Sequence, residues 1–261
     1  MGGLSLLFRR RAIQAHPTIS EGGYIDFADS EVFNVLMANG VSADGIGISK
    51  ADLANLSTIG QWFRNNTAIK QFPELSLTNI TSLDAYAFQN CTSLEWVDIS
   101  NINKIGMYAF NGCTSLNFDV SHIATFGAWA FSGCTALTGD IVLLNAMGEL
   151  PERVFHKTGI NSWIAPYVTA IGNNFFQNST ATRIELSEGM TSIGSSAFSG
   201  CTALTALIVK ATTPPTLGAS AFDFANKYTI YVPDSVVDNY KAASRWSSIA
   251  GKIKGISEYN G

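Results

Sequence analysis

One phrase recurs along the chain. Its fullest form is Ile105-Gly106-Met107-Tyr108-Ala109-Phe110-Asn111-Gly112-Cys113-Thr114-Ser115-Leu116. Close copies surround Phe88, Phe131 and Phe198, and weaker ones surround Phe63, Phe155, Phe176 and Phe222. These eight phenylalanines are 25, 22, 21, 24, 21, 22 and 24 residues apart. A fixed period of roughly 20–29 residues marks a stacked repeat, in which each unit covers the apolar edge of the unit before it.

A single unit cannot bury its own apolar residues. In Trp96-Val97-Asp98-Ile99 the side chains alternate, so Val97 and Ile99 point inward while Trp96 and Asp98 point outward. Phe118/Val120 and Ile184/Leu186 repeat the inward pair. Ser100–Asn103 is turn-like, and Met107–Phe110 is long enough for one helical turn, ended by Asn111-Gly112. The unit is therefore one strand plus one turn of helix. Stacking makes the strands a parallel sheet, roughly 40 Å long for eight coils at about 4.8 Å per strand. The phenylalanines form a core ladder. Gly106, Gly127, Gly172, Gly194 and Gly218 stand four residues before a phenylalanine, with Asp84 in the same slot, and a tight turn is expected there.

Thr191-Ser192-Ile193-Gly194-Ser195-Ser196-Ala197-Phe198-Ser199-Gly200-Cys201-Thr202-Ala203-Leu204 resembles the unit of the BspA-like leucine-rich repeats of bacterial surface proteins. The resemblance covers about residues 56–232. Tyr231-Val232-Pro233, Val237–Ala243 and Trp246 are similar to the family's C-terminal cap. The resemblance implies an α/β-type leucine-rich-repeat solenoid of about eight coils, with a parallel β-sheet, short helical turns and helical caps at both ends. It implies a binding or adhesion protein rather than an enzyme. The expected division is an N-terminal segment and helical cap at 1–55, repeats at 56–232 and a C-terminal helical cap at 233–261. Leu144–Arg153 carries an insertion between the glycine and phenylalanine slots, and Thr158 and Ser179 replace the cysteine.

Composition agrees with stacking. The chain is 46% hydrophobic and only 14% charged, as coils that face coils require. A net charge of −4 argues against general nucleic-acid binding. No run of 18 apolar residues suggests a transmembrane helix. Cys91, Cys113, Cys134 and Cys201 share one slot without C-x₂-C spacing, so they read as buried thiols rather than a disulfide framework or a metal site. No cofactor or metal is expected. His16, His122 and His156 lack motif partners, and no H-E-x-x-H, P-loop or G-x-S-x-G phrase occurs.

The two ends read differently. Met1–Arg11 puts its charges after a short apolar run, the reverse of a secretory signal. The expectation is an ordered end that docks on its own solenoid, or that anchors through Leu4, Leu6, Leu7 and Phe8 to a neighbouring subunit. Ser30–Ala38 is an amphipathic helix stopped by Asn39-Gly40, and Ser49 starts a second one with Asp52 as capping-box partner. Val41–Asp52 resembles a calcium-loop segment of some relatives, but Val41, Ala43 and Gly45 stand where a cation needs oxygen side chains. Asp234 or Ser235 can cap a last helix, with Trp246, Ile249 and Ile253 closing that end.

Asp98, Asp119 and Asp140 fall at one strand position in successive coils, and Glu185 takes it again two coils on. Like charges one strand apart repel, so the column calls for a cation or a basic partner. Trp96 shares that face as an aromatic anchor. The expected ligand is a protein or cell-surface molecule. Two settings fit: an adhesion module on a bacterial surface, or a structural or receptor-binding component of a bacteriophage tail or fibre. The absence of a secretory signal favours the second, and the resemblance favours the first.

Overall fold

The computed structural model describes residues 18–20, 22–146, 148–223 and 228–260. The proposed anchor of Leu4, Leu6, Leu7 and Phe8, and His16 with it, lies outside the described residues.

The phenylalanine ladder runs the length of the molecule. Rings of Phe63, Phe88, Phe110, Phe131, Phe155, Phe176, Phe198 and Phe222 stack in that order, with successive centroids 5.3, 5.3, 5.5, 5.9, 6.2, 5.6 and 5.3 Å apart. All but Phe222 are fully buried. Each stacked pair adds about 0.5–1.5 kcal/mol beyond its area burial.

Each full coil has three sides, where strand plus helical turn was expected. The first side is the strand of the alternating segment. Gln71–Phe72 pairs with Trp96–Val97, and further on Thr138–Val142, Gly159–Ala165, Arg183–Leu186, Ala206–Val209, Thr229–Val232 and Ile253–Gly255 form a six-stranded parallel ladder. The second side is a further parallel strand that alternation over two to four residues was too short to announce. It comprises Ser82–Leu83, Lys104–Ile105 and Thr125–Phe126, then Gly148–Leu150, Val168–Ile171, Ser192–Ile193 and Thr216–Leu217.

The third side carries the phenylalanine, and it is a run of tight turns rather than a turn of helix. Tyr108 has φ 57° and Gly112 φ 77°, two residues before and two after Phe110, and the coils of Phe88, Phe131, Phe155, Phe176 and Phe198 repeat this. The N–H groups of Tyr108, Phe110 and Gly112 donate to the carbonyls of Ala128, Ala130 and Ser132 in the next coil, at 3.0, 2.9 and 2.8 Å. A helical turn would leave those groups unpaired along the solenoid axis. The left-handed residues turn alternate peptides toward the next coil and satisfy them.

The glycine column has a different cause from the one expected. None of Gly106, Gly127, Gly172, Gly194 and Gly218 has positive φ. A Cβ on Gly127 would sit 2.3 Å from the Met107 nitrogen, and one on Gly218 would sit 2.1 Å from that of Ser195. These glycines let backbone pack directly on backbone. In the insertion coil Pro151, not glycine, stands four residues before Phe155. The extra length lies ahead of that slot, with register shifts between Ile160 and Ser162 and between Val168 and Ala170.

The four thiols are free and buried. Cys91, Cys113, Cys134 and Cys201 donate S–H to the carbonyls of Phe63, Phe88, Phe110 and Phe176 in the preceding coil, at 2.9, 2.9, 3.1 and 2.9 Å. Burial raises the thiol pKa of Cys113 and Cys134 and pushes that of Cys201 up to about 12. Thr158 and Ser179 are buried in the same slot. Thr158 turns its hydroxyl to its own coil, donating to the Phe155 carbonyl at 2.8 Å.

At the N-terminal end, α1 spans Ser30–Ala38, capped by Asp29 and stopped at Asn39 and Gly40. Helix α2, Lys50–Ala54, has the Ser49/Asp52 capping box. In the loop between them, Asp44 accepts from the Ile46 and Gly47 N–H groups at 2.8 and 3.3 Å, and also from the Tyr24 hydroxyl. The Tyr24 hydroxyl and these amides hold Asp44 well below the usual carboxylate range. At the other end α3 spans Val237–Ala242, without a side-chain cap. Asp234 instead accepts from Ser257, N–H at 3.3 Å and hydroxyl at 2.8 Å. Trp246 is buried and donates to the Pro215 carbonyl at 2.7 Å, and Ile253 extends the first-side ladder within the segment expected as a helical cap. Among the described residues no helix is long and apolar enough to cross a membrane.

Candidate functional site

Coil-to-coil hydrogen bonds fix which side chains share a column. The Asn117 N–H donates to the Glu95 carbonyl at 3.1 Å, and the Ala136 N–H to that of Thr114 at 3.2 Å. This constant offset brings Asp98, Asp119 and Asp140 onto one outward column. Each carboxylate also has a local task. Asp98 accepts from the Ser100 N–H at 3.1 Å, and Asp119 from the Ser121 N–H at 2.8 Å and its hydroxyl at 2.9 Å. Asp140 accepts from the Ser162 hydroxyl at 2.7 Å. The first two thereby close the turn after their strand. Among the described residues no cation pairs with any of the three.

Glu185 does not join them. Asp140 aligns with Ser162 and then Arg183, whereas Glu185 aligns with Ile164, one outward position further along. It is also neutralised, by Arg183 at 2.6 Å and by Lys210. The register slips at the bulge between Ile160 and Ser162. Trp96 is half-buried beside Asp98, on the same strand face.

A second column had no counterpart in the sequence reading. Tyr86, Tyr108 and Trp129 stand two residues before Phe88, Phe110 and Phe131, and their rings stack at 5.2 and 5.3 Å. The Arg64 guanidinium lies 4.7 Å from the Tyr86 ring centre, and that of Arg153 lies 4.2 Å from Trp129. The ridge is thus bracketed by cations. All three aromatic residues are half-buried and have φ of 66°, 57° and 62°. That backbone is costly for bulky residues and easy for asparagine, which fills the slot at Asn174. The signal was an aromatic residue in one slot of three consecutive phrases.

The geometry offers little for covalent chemistry. Ser132 Oγ and His156 Nδ1 hydrogen bond at 2.9 Å, but both residues are buried. Burial, with Arg153 and Lys157 beside it, lowers the imidazole pKa to about 4. His122 Nε2 bonds the Ile99 carbonyl at 2.9 Å. Among the described residues no group of three or more side chains could hold a metal ion. An open groove of about 580 Å³ crosses the second side over Gly172, Gly194 and Gly218, floored by backbone and flanked by Ser192, Thr216 and Glu152.

Comparison with known proteins agrees with this geometry. The profile of the BspA type leucine rich repeat region matches in six copies, over residues 57–180 and 169–248. A leucine rich cell surface protein of Faecalibacterium prausnitzii A2-165 shares the fold, with a TM-score of 0.51 and 22% identity over 68% of this chain and 59% of that one. A leucine-rich repeat protein of Bacteroides ovatus ATCC 8483 aligns with a TM-score of 0.37 and 15% identity, over 66% of this chain and 57% of that one. The chain thus spans less than two thirds of the length of either. Comparison with curated proteins gives no match.

Proposed function

Since the chain belongs to the BspA-type leucine-rich repeat family, we propose that it is a non-catalytic binding module that holds a protein or cell-surface ligand against its first-side strand face. The F. prausnitzii neighbour is described as a cell surface protein, and the proposal takes the same setting, adhesion at a bacterial surface, for this chain. In this reading residues 1–55 and 233–261 close the two ends of the repeat block at 56–232, as an open solenoid end requires.

The observation that carries the proposal is the column Asp98, Asp119 and Asp140. Stacked coils follow one another at about 4.8 Å where their strands pair, and among the described residues no cation is paired to the three carboxylates. Such a row raises local cation concentration and draws a basic partner, with Trp96 as an apolar anchor beside it.

Asparagine separates charge from structure here. It keeps the oxygen that accepts from the Ser100 and Ser121 N–H groups while removing the charge. The triple variant Asp98→Asn, Asp119→Asn, Asp140→Asn should melt within a few degrees of the parent. Its affinity for an oligolysine peptide should fall at least tenfold, and the parent's affinity should weaken with salt as the Debye length shrinks below about 8 Å. Equal affinity and equal salt dependence in parent and variant would show the column to be only a solvated face.

A further inference from the structure

We propose that the ridge of Tyr86, Tyr108 and Trp129, bracketed by Arg64 and Arg153, is a second docking surface, and that it takes an acidic extended segment of a partner protein. This inference does not rest on the aspartate column, which lies on a different side of the coil.

The first argument is placement. The ridge slot requires a left-handed backbone, with φ between 57° and 66° at the three aromatic residues. Asn174, Ser196 and Ser220 serve the same slot in later coils. Three consecutive coils nonetheless carry the bulkiest side chains there. Strained residues that the scaffold does not need cluster at recognition sites. Met107, beside Tyr108, is 46% exposed, so the ridge has an apolar shoulder. Tyr, Trp, Met and Arg are the types enriched where proteins meet.

The second argument is the charge of the ligand. The ring faces are occupied, by each other within the ridge and by guanidinium groups at its ends. What faces outward is ring edges, which carry the positive end of the quadrupole. The Arg64 guanidinium donates to the neutral amides of Gln89 and Gln61, at 2.9 and 3.1 Å. Among the described residues neither Arg64 nor Arg153 pairs with a carboxylate. Lys157 adds charge at the Arg153 end, and the field of both cations there helps to keep His156 unprotonated. Among the described residues Glu152 is the one acidic group bonded to the ridge, accepting from the Trp129 indole N–H at 3.3 Å. A chain of carboxylates in extended conformation, repeating every second residue at about 6.6 Å, can reach both guanidinium groups along such a ridge.

The test uses the whole chain and a fluorescein-labelled peptide of alternating glutamate and glycine, read by anisotropy at 25 and 300 mM salt. The parent should bind at low salt. The double variant Arg64→Gln, Arg153→Gln should bind at least tenfold more weakly, and Tyr108→Asn, whose backbone suits asparagine, at least threefold more weakly at an unchanged melting temperature. The Asp98/Asp119/Asp140 asparagine variant should bind at least as tightly as the parent, which separates the two surfaces. No binding by the parent, or equal binding by the double variant, overturns the proposal. So does a Tyr108→Asn variant that melts earlier but binds unchanged, since the ridge is then only coil-to-coil packing. Sedimentation velocity addresses the remaining occupant: a parent that dimerises and a double variant that does not would make the ridge an interface between copies, and would likewise overturn it.

Discussion

Phe110 has a ring on either side of it, Phe88 at 5.3 Å and Phe131 at 5.5 Å, and a third, Phe118, edge-on at 5.4 Å. Removing its ring leaves a gap that its neighbours cannot readily fill, because the Phe88 and Phe131 N–H groups are tied to the carbonyls of Ala109 and Val154 in the next coils. Phe110→Ala should therefore cost about 3–5 kcal/mol in a urea melt, the range for a large aromatic cut back to alanine. A variant that melts with the parent would place Phe110 outside the ladder. His156 makes the residue scale pH-dependent. Burial first, and then Arg153 and Lys157, lower its pKa to about 4, whereas in the unfolded chain it titrates near 6.5. The unfolded state takes up the proton first, so the stability this histidine leaves intact above pH 6.5 is lost as pH falls toward 4. His156→Asn should show a smaller drop in urea midpoint between pH 7.5 and 5 than the parent. An identical drop would mean that the imidazole is solvated when folded.

At the scale of the element, the coil is defined by where backbone touches backbone. A methyl group on Gly127 would lie 2.3 Å from the Met107 nitrogen and 2.6 Å from the Gly106 carbonyl carbon, and backbone cannot swing aside as a side chain can. Gly127→Ala should cost at least about 1–3 kcal/mol, as overpacking does, although φ at this site would accept alanine. A neutral melt would show that the coils can separate there. This element was only partly legible. The glycine spacing was plain in the sequence, but its meaning was not, because a turn glycine and a close-approach glycine look alike until the next coil is in place. Two-residue strands such as Lys104–Ile105 fall below the length at which alternation can be read. The aromatic ridge was hidden for a related reason. Tyr86, Tyr108 and Trp129 fill one slot of three consecutive phrases, but only the stacked coils show Tyr86 and Tyr108 ring on ring at 5.2 Å. Asp98, Asp119 and Asp140 keep one offset from coil to coil. The column failed at Glu185, which pairs with Ile164 and not with Ser162, the partner of Asp140, so that it stands two residues beyond the column at Arg183.

Across the whole molecule the period carried the most information, since one ladder of eight rings runs through all the repeats. What it could not show is how the repeats join the N-terminal helices, because that contact is made once. Glu74 sits at the junction, fully buried, in a 3₁₀ turn spanning Pro73–Leu77. One carboxyl oxygen accepts from the Ala28 N–H at 2.9 Å, and among the described residues the other has no hydrogen-bond partner. Asp29, next along, is the cap of α1 and also accepts from the Lys70 N–H at 2.7 Å, so helix, loop and first strands meet at two carboxyl groups. Burial raises the Glu74 pKa, and the nearby Asp29 charge adds to the rise. The sign follows from which state binds the proton. Above the ordinary carboxylate value the unfolded chain has lost its proton while the folded chain retains it, so the contribution of Glu74 is fully present below that value and is lost as pH rises through the elevated folded pKa. Glu74→Gln keeps the oxygen that accepts from Ala28 and abolishes the titration. The stability of the variant relative to the parent should therefore increase between pH 4.5 and 7.5, in the direction opposite to the His156 effect, and amide exchange in α1 should report it first, after correction for intrinsic rates. A parent–variant difference that stays constant over that range would mean that Glu74 is ionised in the folded chain and that the junction opens to water.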